Sequence, residues 1–206
     1  MKVSLIYMAS GFGKRYGTNK LITEFQGEPL YLHGLLSLQK AKKLLEEDKI
    51  HCELMLISQY ERVLSGAFER VPEAERIFNE DSDQGITASL KLGTEVSKKD
   101  TDAFLYFVAD QPCMKGETIA EFVRSFLKSG KGIGCVCAGG HRGSPNIFRR
   151  RYKKELLSLE GDQGGRQIME KYPEDIWMME VDERELRDID QPSDLKALRL
   201  ELEGQQ

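Results

Sequence analysis

The sequence has little of the residues that form reactive thiol or imidazole sites. Its 206 residues include three histidines and four cysteines, and the cysteines lack the paired spacing of a zinc site. Cys135 and Cys137 are placed as neighbours on one strand face, and we expect them to be reduced core residues. His141 reads as a polar loop residue rather than a catalyst. The sequence therefore offers no convincing constellation for nucleophilic catalysis by His or Cys.

Long apolar runs and an excess of basic residues are also missing. No run approaches the roughly 18 apolar residues of a membrane span, and the short N-terminal run ends in glycines and cations, unlike a signal peptide. The net charge of −4 argues against general nucleic-acid binding. Internal repeats, low-complexity segments and linkers are absent from the sequence. We expect one cytoplasmic domain over residues 1–206, without a membrane or nucleic-acid partner.

Glycines and cations are instead concentrated directly after the first apolar run. Lys2–Met8 is typical of a strand buried on both faces. The loop that follows reads Ala9-Ser-Gly-Phe-Gly-Lys-Arg-Tyr-Gly-Thr-Asn-Lys20. Glycines let backbone amides approach a ligand closely, and a run of amides binds anions. With the loop's cations added, the pattern predicts a triphosphate cradle, and the alternative interpretation is a basic surface turn.

Two common phosphate-binding loops do not fit this stretch. In the dinucleotide fingerprint the third glycine follows the second after two residues, whereas Gly17 comes one place late. A P-loop has Ser or Thr after Gly-Lys to hold magnesium, but Arg15 follows Gly13-Lys14. The sequence therefore disfavours both a dinucleotide-binding loop and a P-loop.

Hydrophobic patterning predicts strands and helices in alternation, and hence an α/β fold with a doubly wound, mostly parallel sheet in three layers. The predicted strands are Lys2–Met8, Cys52–Ser58, Arg76–Phe78, Ala103–Ala109, Ile133–Ala138, a fragment at Asn146–Phe148, and Ile176–Val181. The predicted helices are Pro29–Glu47, Glu61–Arg70, Ile86–Val96, Gly116–Ser129, Arg149–Leu159, Gly164–Lys171 and Ser193–Glu203. Gly139–Pro145 is predicted to be a glycine-rich loop.

One acidic residue has a position of special interest in this pattern. Asp110 ends the strongest central-strand signal and begins Asp110-Gln111-Pro112. Open α/β sheets bind ligands at the carboxyl ends of their strands. The alternative interpretation is a turn-capping aspartate.

Motifs from Tyr7 to Asp194 together resemble the molybdopterin nucleotidyltransferases, and most closely the molybdenum cofactor cytidylyltransferases. The matching segments are Tyr7–Lys20, Gln26–Leu30, Gly85–Leu90, Asp110–Pro112, Arg142–Pro145, Leu159–Arg166 and Arg187–Asp194. Ser10 and Gly13 depart from the first signature, where alanine or glycine and serine are usual. The resemblance implies a Rossmann-like fold of the nucleotide-diphosphosugar transferase type, with the motifs gathered at strand carboxyl ends.

The resemblance also implies an activity and a role for each motif. CMP would pass from CTP to the terminal phosphate of molybdopterin, with Arg15, Lys20 and Asp110 catalytic and Mg²⁺ held by Asp110 and Asp190. The nucleotide-binding residues would be Ala9, Ser10, Gly11, Gly13, Lys14, Arg15, Lys20, Gly85, Ser89 and Asp110. The acceptor-binding residues would be Arg142, Gly143, Asp162 and Arg166.

Two finer assignments concern aspartates. Asp162 is expected to cap the helix that follows it. Asp188 competes with Asp190 for the metal, but the two should point opposite ways if their segment is extended, and Asp190 is preferred.

Three alternatives stay open within this resemblance. A guanylyltransferase would use GTP, although Ala9-Ser10-Gly11 and Asp110-Gln111-Pro112 favour CTP. A cytidylyltransferase for another phosphorylated acceptor would leave the Arg142 and Asp162 motifs unexplained. A non-catalytic carrier of molybdopterin would not need Arg15, Lys20 and Asp110. The resemblance further implies transient contact with a molybdoenzyme or its chaperone.

Overall fold

The computed structural model describes residues 1–11, 16, 17 and 19–203. Gly13, Lys14 and Arg15 of the predicted phosphate cradle therefore lie outside the described residues. None of the helices in the described part of the chain is long and apolar enough to cross a membrane.

Nine strands and seven α-helices are present in the described residues. In chain order the strands are β1 (Lys2–Met8), β2 (Glu24–Phe25), β3 (Glu28–Pro29), β4 (His51–Ser58), β5 (Glu75–Phe78), β6 (Ala103–Val108), β7 (Ile133–Ala138), β8 (His141–Arg149) and β9 (Ile176–Glu180). The helices are α1 (Leu30–Glu47), α2 (Glu61–Arg70), α3 (Ile86–Val96), α4 (Gly116–Ser129), α5 (Lys153–Leu157), α6 (Arg166–Lys171) and α7 (Pro192–Glu203).

Seven of the strands form one sheet in the order β5-β4-β1-β6-β8-β7-β9. All of its pairings are parallel except those of β8, which runs antiparallel to β6 and β7. The predicted α/β fold with a mostly parallel sheet is confirmed. Strands β2 and β3 form a separate small hairpin.

The central strands are mostly apolar because helices cover both faces of the sheet. Along β1, Leu5 and Tyr7 pack into a core with α1, α2 and α4. Ile6 and Met8 point to the other face, where they pack with α3, α5 and α6. This alternation explains why apolar residues of Lys2–Met8 point to both faces.

The predicted loop at Gly139–Pro145 is wrong. Only Gly139 and Gly140 form a turn, and β8 begins at His141. Both glycines have positive φ, 54° and 82°, as the tight connection of a two-residue hairpin requires. The turn joins β7 to β8, so the segment that carries Arg142 is a strand.

The antiparallel direction of β8 explains how its motif reaches the site. We expected every motif to follow the carboxyl end of a strand. Arg142 and Gly143 instead lie at the beginning of β8, which meets the carboxyl ends of the parallel strands because β8 runs the other way.

Two predicted helices are shorter than expected. Arg149 ends β8, and a 3-10 turn at Arg150–Tyr152 precedes α5. The Arg149 guanidinium donates to the carbonyl of Leu127 at 2.8 Å, a tertiary contact that keeps this residue with the sheet. Gly164 does not begin α6, because its φ of +53° is incompatible with a right-handed helix.

Candidate functional site

Two adjoining cavities lie at the carboxyl ends of the parallel strands. The first, of about 390 Å³, is bordered by the loop after β1, the beginning of α3 and the end of β6. The second, of about 550 Å³, lies over β6 and β8 and against α6. Met8, Ile86 and Val108 line both cavities and form the boundary between them.

The first cavity collects every predicted nucleotide-binding residue that the structure describes. These residues are Ala9, Ser10, Gly11, Lys20, Gly85, Ser89 and Asp110. They come from three separate stretches of the chain, and the parallel sheet brings the stretches together at one edge.

Lys20 lies between the two aspartates that were predicted to hold a metal. Its Nζ is 3.0 Å from Asp110 Oδ2 and 3.3 Å from Asp190 Oδ1. The Lys20 side chain is 8% exposed, and Lys20 begins a 3-10 turn that Asn19 caps. Burial lowers the pKa of Lys20, but the charges and hydrogen bonds of Asp110 and Asp190 outweigh it, and the net pKa is raised.

Hydrogen bonds of the backbone at residues 189–191 hold Asp190 next to Asp110. The amide of Ile189 donates to the carbonyl of Asp110 at 2.9 Å. At the start of α7, Asp194 Oδ2 accepts from the amides of Asp190 and Gln191 at 2.9 and 2.7 Å. Together these contacts hold the loop before α7 in one position against the end of β6.

One oxygen of this cluster is left without a hydrogen bond from the described residues. Asp110 Oδ1 is buried and accepts no hydrogen bond within the described ranges. Such an oxygen, with Asp190 close by, suits a hard divalent cation. The described residues hold no group of three or more His, Cys, Asp or Glu arranged to bind a metal alone, so a cation here would also need ligand atoms from a bound phosphate.

Asp188 has a different environment from Asp190. Asp188 Oδ1 accepts a hydrogen bond from Gln111 Nε2 at 2.8 Å, whereas Asp190 lines the first cavity. Partial burial raises the pKa of Asp188, and the negative charges of Asp110 and Asp190 raise it further, against the opposing effects of Gln111 and Lys20.

The end of β4 supports the loop after β1 through contacts that sequence reasoning missed. Ser58 Oγ donates to the carbonyl of Ala9 at 2.8 Å, Gln59 Nε2 to that of Ser10 at 2.6 Å, and the Tyr60 hydroxyl to that of Gly11 at 3.0 Å. These three consecutive side chains give no signal in the sequence beyond their position after a strand. The three contacts tie the carbonyls of residues 9–11 to the end of β4.

Asn79, also missed, connects two of the predicted binding residues. Its buried Nδ2 donates to Ser89 Oγ at 3.0 Å and lies 3.5 Å from Ser10 Oγ. Asn79 follows β5 directly, and its amide therefore ties the loop after β1 to the first turn of α3.

Asp162 caps a different helix from the one predicted. Its Oδ1 accepts from the amide of Ile86 at 2.7 Å, at the beginning of α3. Gly85 is required by this contact, because its φ is +83° and a Cβ there would collide with the Asp162 carboxylate. The amide of Gly164 also donates to Thr87 Oγ1 at 3.1 Å. The loop before α6 is therefore docked on α3.

The structure separates the four predicted acceptor-binding residues. Arg142, Gly143 and Arg166 line the second cavity, whereas Asp162 lines the first. The Arg166 guanidinium is also paired with Glu170, with Nε 2.8 Å from Oε1. The second cavity thus has cations near a wall that includes the rings of Tyr106 and Phe148.

This arrangement suits transfer between two anionic ligands. Two adjoining cavities can hold two reactants in a fixed orientation, which removes much of the entropic barrier of a bimolecular reaction. A buried lysine paired with carboxylates can stabilise charge that develops on a phosphate.

Comparisons with known proteins agree with the fold and identify a family. The family model for the MobA-like NTP transferase domain matches residues 5–176. No curated protein matches the chain by sequence.

Solved structures of similar fold cover nearly the whole chain. Rv0371c from Mycobacterium tuberculosis H37Rv has 19% identity and a TM-score of 0.78, covering 95% of this chain and 96% of its own. The 4-diphosphocytidyl-2C-methyl-D-erythritol synthase from Anaerococcus prevotii has 14% identity and a TM-score of 0.77, covering 98% and 96%. CMP:2-keto-3-deoxy-manno-octonic acid synthetase complexed with CTP has 11% identity and a TM-score of 0.76, covering 100% of both chains. The chain belongs to the MobA-like NTP transferase domain family and is a nucleotidyltransferase.

Proposed function

We propose that this nucleotidyltransferase transfers CMP from CTP to the terminal phosphate of molybdopterin and releases pyrophosphate. The observation that carries the proposal is the pair of adjoining cavities. Predicted nucleotide residues line the first cavity, and Arg142, Gly143 and Arg166 line the second. Met8 and Val108 between the cavities are close to Asp110, where the two reactants would meet.

CTP would occupy the first cavity. Ser10 and Gly11 lie in the loop after β1, and Gly85 and Ser89 lie at the start of α3, so they border the nucleotide from two sides. Lys20 would stabilise the departing pyrophosphate together with Arg15, which the sequence alone assigns.

Mg²⁺ would be held by Asp110 and Asp190. Asp110 Oδ1 is a buried carboxylate oxygen that accepts no hydrogen bond in the described part of the chain, and such oxygens are preferred ligands of Mg²⁺. Rv0371c has the same fold, with a TM-score of 0.77 to this chain, and its structure in complex with manganese supports a divalent ion in this proposal. When bound, the ion would neutralise charge on the phosphate oxygens.

Molybdopterin would occupy the second cavity. Arg142 and Arg166 can bind its phosphate through paired N–H groups, and Ile86 and Val108, which are not fully buried, offer apolar surface to its ring system. A phosphate monoester is mostly ionised at neutral pH, with a second pKa of about 6. The attacking oxygen therefore needs no general base.

Ser10 supports CTP rather than GTP as the donor. Its side chain is buried at the wall of the first cavity, with Oγ 3.4 Å from the carbonyl of Ile57. A side chain at this position reduces the room for a purine, where glycine would leave more.

The experiment is a matrix of donors and acceptors monitored by pyrophosphate release. CTP, GTP, ATP and UTP are each combined with molybdopterin or with a polyol phosphate. We expect the highest kcat/KM with CTP and molybdopterin. Higher turnover with GTP would make the protein a guanylyltransferase, and preference for the polyol phosphate would assign it to other cytidylyltransferases. Binding of molybdopterin without turnover of any nucleotide would identify a carrier.

A cytoplasmic location and transient contact with a molybdoenzyme or its chaperone follow from the same proposal. Transfer of a labelled product to an apo-molybdoenzyme in the presence of this protein would test the contact.

A further inference from the structure

Asn146 has an unusual position in the wall of the second cavity. It lies in the middle of β8, paired with Tyr106 on one side and Cys135 on the other. Side chains two residues apart on a strand share a face, and Asn146 and Phe148 both line this cavity. A polar amide is therefore placed beside the buried ring of Phe148, on the side of β8 that faces the cavity.

The amide oxygen of Asn146 is not used by the protein. Its Oδ1 is buried and has no hydrogen-bond partner among residues 1–11, 16, 17 and 19–203. Other polar groups around the cavity are paired: the Tyr106 hydroxyl lies 2.6 Å from Thr94 Oγ1, and Ser144 Oγ accepts from the amide of Val108 at 3.3 Å.

An unpaired buried amide costs stability, so its presence at a ligand-sized cavity needs an explanation. A ligand group that donates a hydrogen bond to the Asn146 oxygen would provide that explanation. The surroundings restrict that ligand further, because Ile86 and Val108 offer an apolar surface, while Arg142 and Arg166 are cationic.

We propose that Asn146 is a specificity residue for the acceptor, and that its side-chain oxygen accepts a hydrogen bond from an N–H on the edge of the acceptor's ring system. The acceptor class is a flat heteroaromatic ring with an N–H donor that also carries a phosphate. This inference rests on the proposed function, since it assigns the second cavity to the acceptor. A site built around such a bond rejects an analogue that lacks the donor, because the buried oxygen is then left unpaired.

The test uses Asn146→Leu, a change of similar volume that removes the amide. The dissociation constant for molybdopterin, followed by the fluorescence of the pterin, should rise about 10-fold, the effect of one lost hydrogen bond of ordinary strength. The dissociation constant for CTP should stay within about twofold, well below that effect. In the ligand-free protein the melting temperature should rise by about 2–4 °C, because an unpaired polar group has been removed.

Tyr106→Phe is the matched control in the same cavity. It removes a hydroxyl that is already paired with Thr94, so the melting temperature should fall rather than rise. A rise in melting temperature for Asn146→Leu and a fall for Tyr106→Phe would show that the Asn146 amide, unlike the Tyr106 hydroxyl, does not stabilise the fold.

Failure of this inference is distinguishable from failure of the proposed function. If the wild type releases pyrophosphate with molybdopterin but Asn146→Leu binds molybdopterin equally well, the role of Asn146 is overturned and the function stands. A fall in melting temperature for Asn146→Leu would show a structural role and overturn the inference without any acceptor. Absence of molybdopterin-dependent turnover in the wild type would overturn both.

Discussion

Lys20 and Asp110 are 90 positions apart in the chain, yet Lys20 Nζ donates to Asp110 Oδ2 at 3.0 Å. This contact joins the end of the glycine-rich loop to the end of the central strand β6. Asp190 completes the cluster from 170 positions away, at 3.3 Å. The charge balance of the first cavity is therefore set by three segments that only the folded sheet brings together.

Lys20→Met should slow nucleotidyl transfer by on the order of 100-fold, the cost typical of one lost transition-state donor. The substitution keeps most of the side-chain volume in its buried position, so the effect reports the charge. Lys43→Met, at an exposed position on α1, is the control and should leave kcat/KM unchanged. Equal activity of the Lys20 and Lys43 variants would remove Lys20 from the catalytic site.

The same lysine predicts a pH dependence of stability. Although burial lowers the pKa of Lys20, its two aspartate partners raise the net value above that of an ordinary lysine. Its stabilising effect is therefore fully present below the unfolded pKa of about 10.4, and is lost as the pH rises through the folded pKa. In urea unfolding, the difference in free energy of unfolding between wild type and Lys20→Met should be constant from about pH 7 to 9 and shrink above about pH 10.5. A difference that does not shrink at high pH would contradict this pairing.

Asp110→Asn and Asp190→Asn should each abolish most metal-dependent turnover, because two carboxylates are proposed to hold the ion. The melting temperature should change little, since Lys20 keeps the other aspartate as a partner. Asp188→Asn is the matched comparison and should be milder, because Asp188 already accepts from Gln111. If Asp188→Asn is more damaging than Asp190→Asn, the metal assignment is wrong.

Gly85→Ala should destabilise the protein more than Gly161→Ala. Both glycines have positive φ, +83° and +69°, and both substitutions therefore introduce backbone strain of about 1–3 kcal/mol. At Gly85 the new Cβ also collides with the Asp162 carboxylate that caps α3, whereas at Gly161 the space is open. Urea unfolding of the two variants measures the difference, and equal losses would show that the Asp162 contact adds nothing.

Arg142→Ala and Arg166→Ala should weaken molybdopterin binding and leave CTP affinity nearly intact. The reason is their position in the second cavity, away from the residues of the first. We expect roughly 10-fold or greater loss for each, the range for a hydrogen bond to a charged group. Arg62→Ala, an exposed position on α2, is the control, and parallel loss of both ligands would indicate a structural role for the arginines.

The sequence alone determined the local elements. Helices α2, α3 and α4 have the predicted bounds, as do strands β1 and β7. Their signals are local, because a helix repeats its apolar face every three or four residues and a strand buried on both faces is apolar throughout. The nucleotidyltransferase family could also be predicted from the sequence, since its motifs are short and contiguous.

Only the tertiary structure decided which distant residues meet. The segment at Arg142 is a strand because it pairs with β7 and continues into the part of β8 at 146–149 that also pairs with β6, which no local pattern near the glycines reveals. Asp162 caps α3 rather than the helix next to it, because the docked loop brings it to the amide of Ile86, 76 positions away. Asn146 reads as an ordinary strand residue until its unpaired oxygen is placed in a cavity wall. Periodicity specifies the face on which a side chain lies, but its partners depend on the order and direction of strands in the whole sheet.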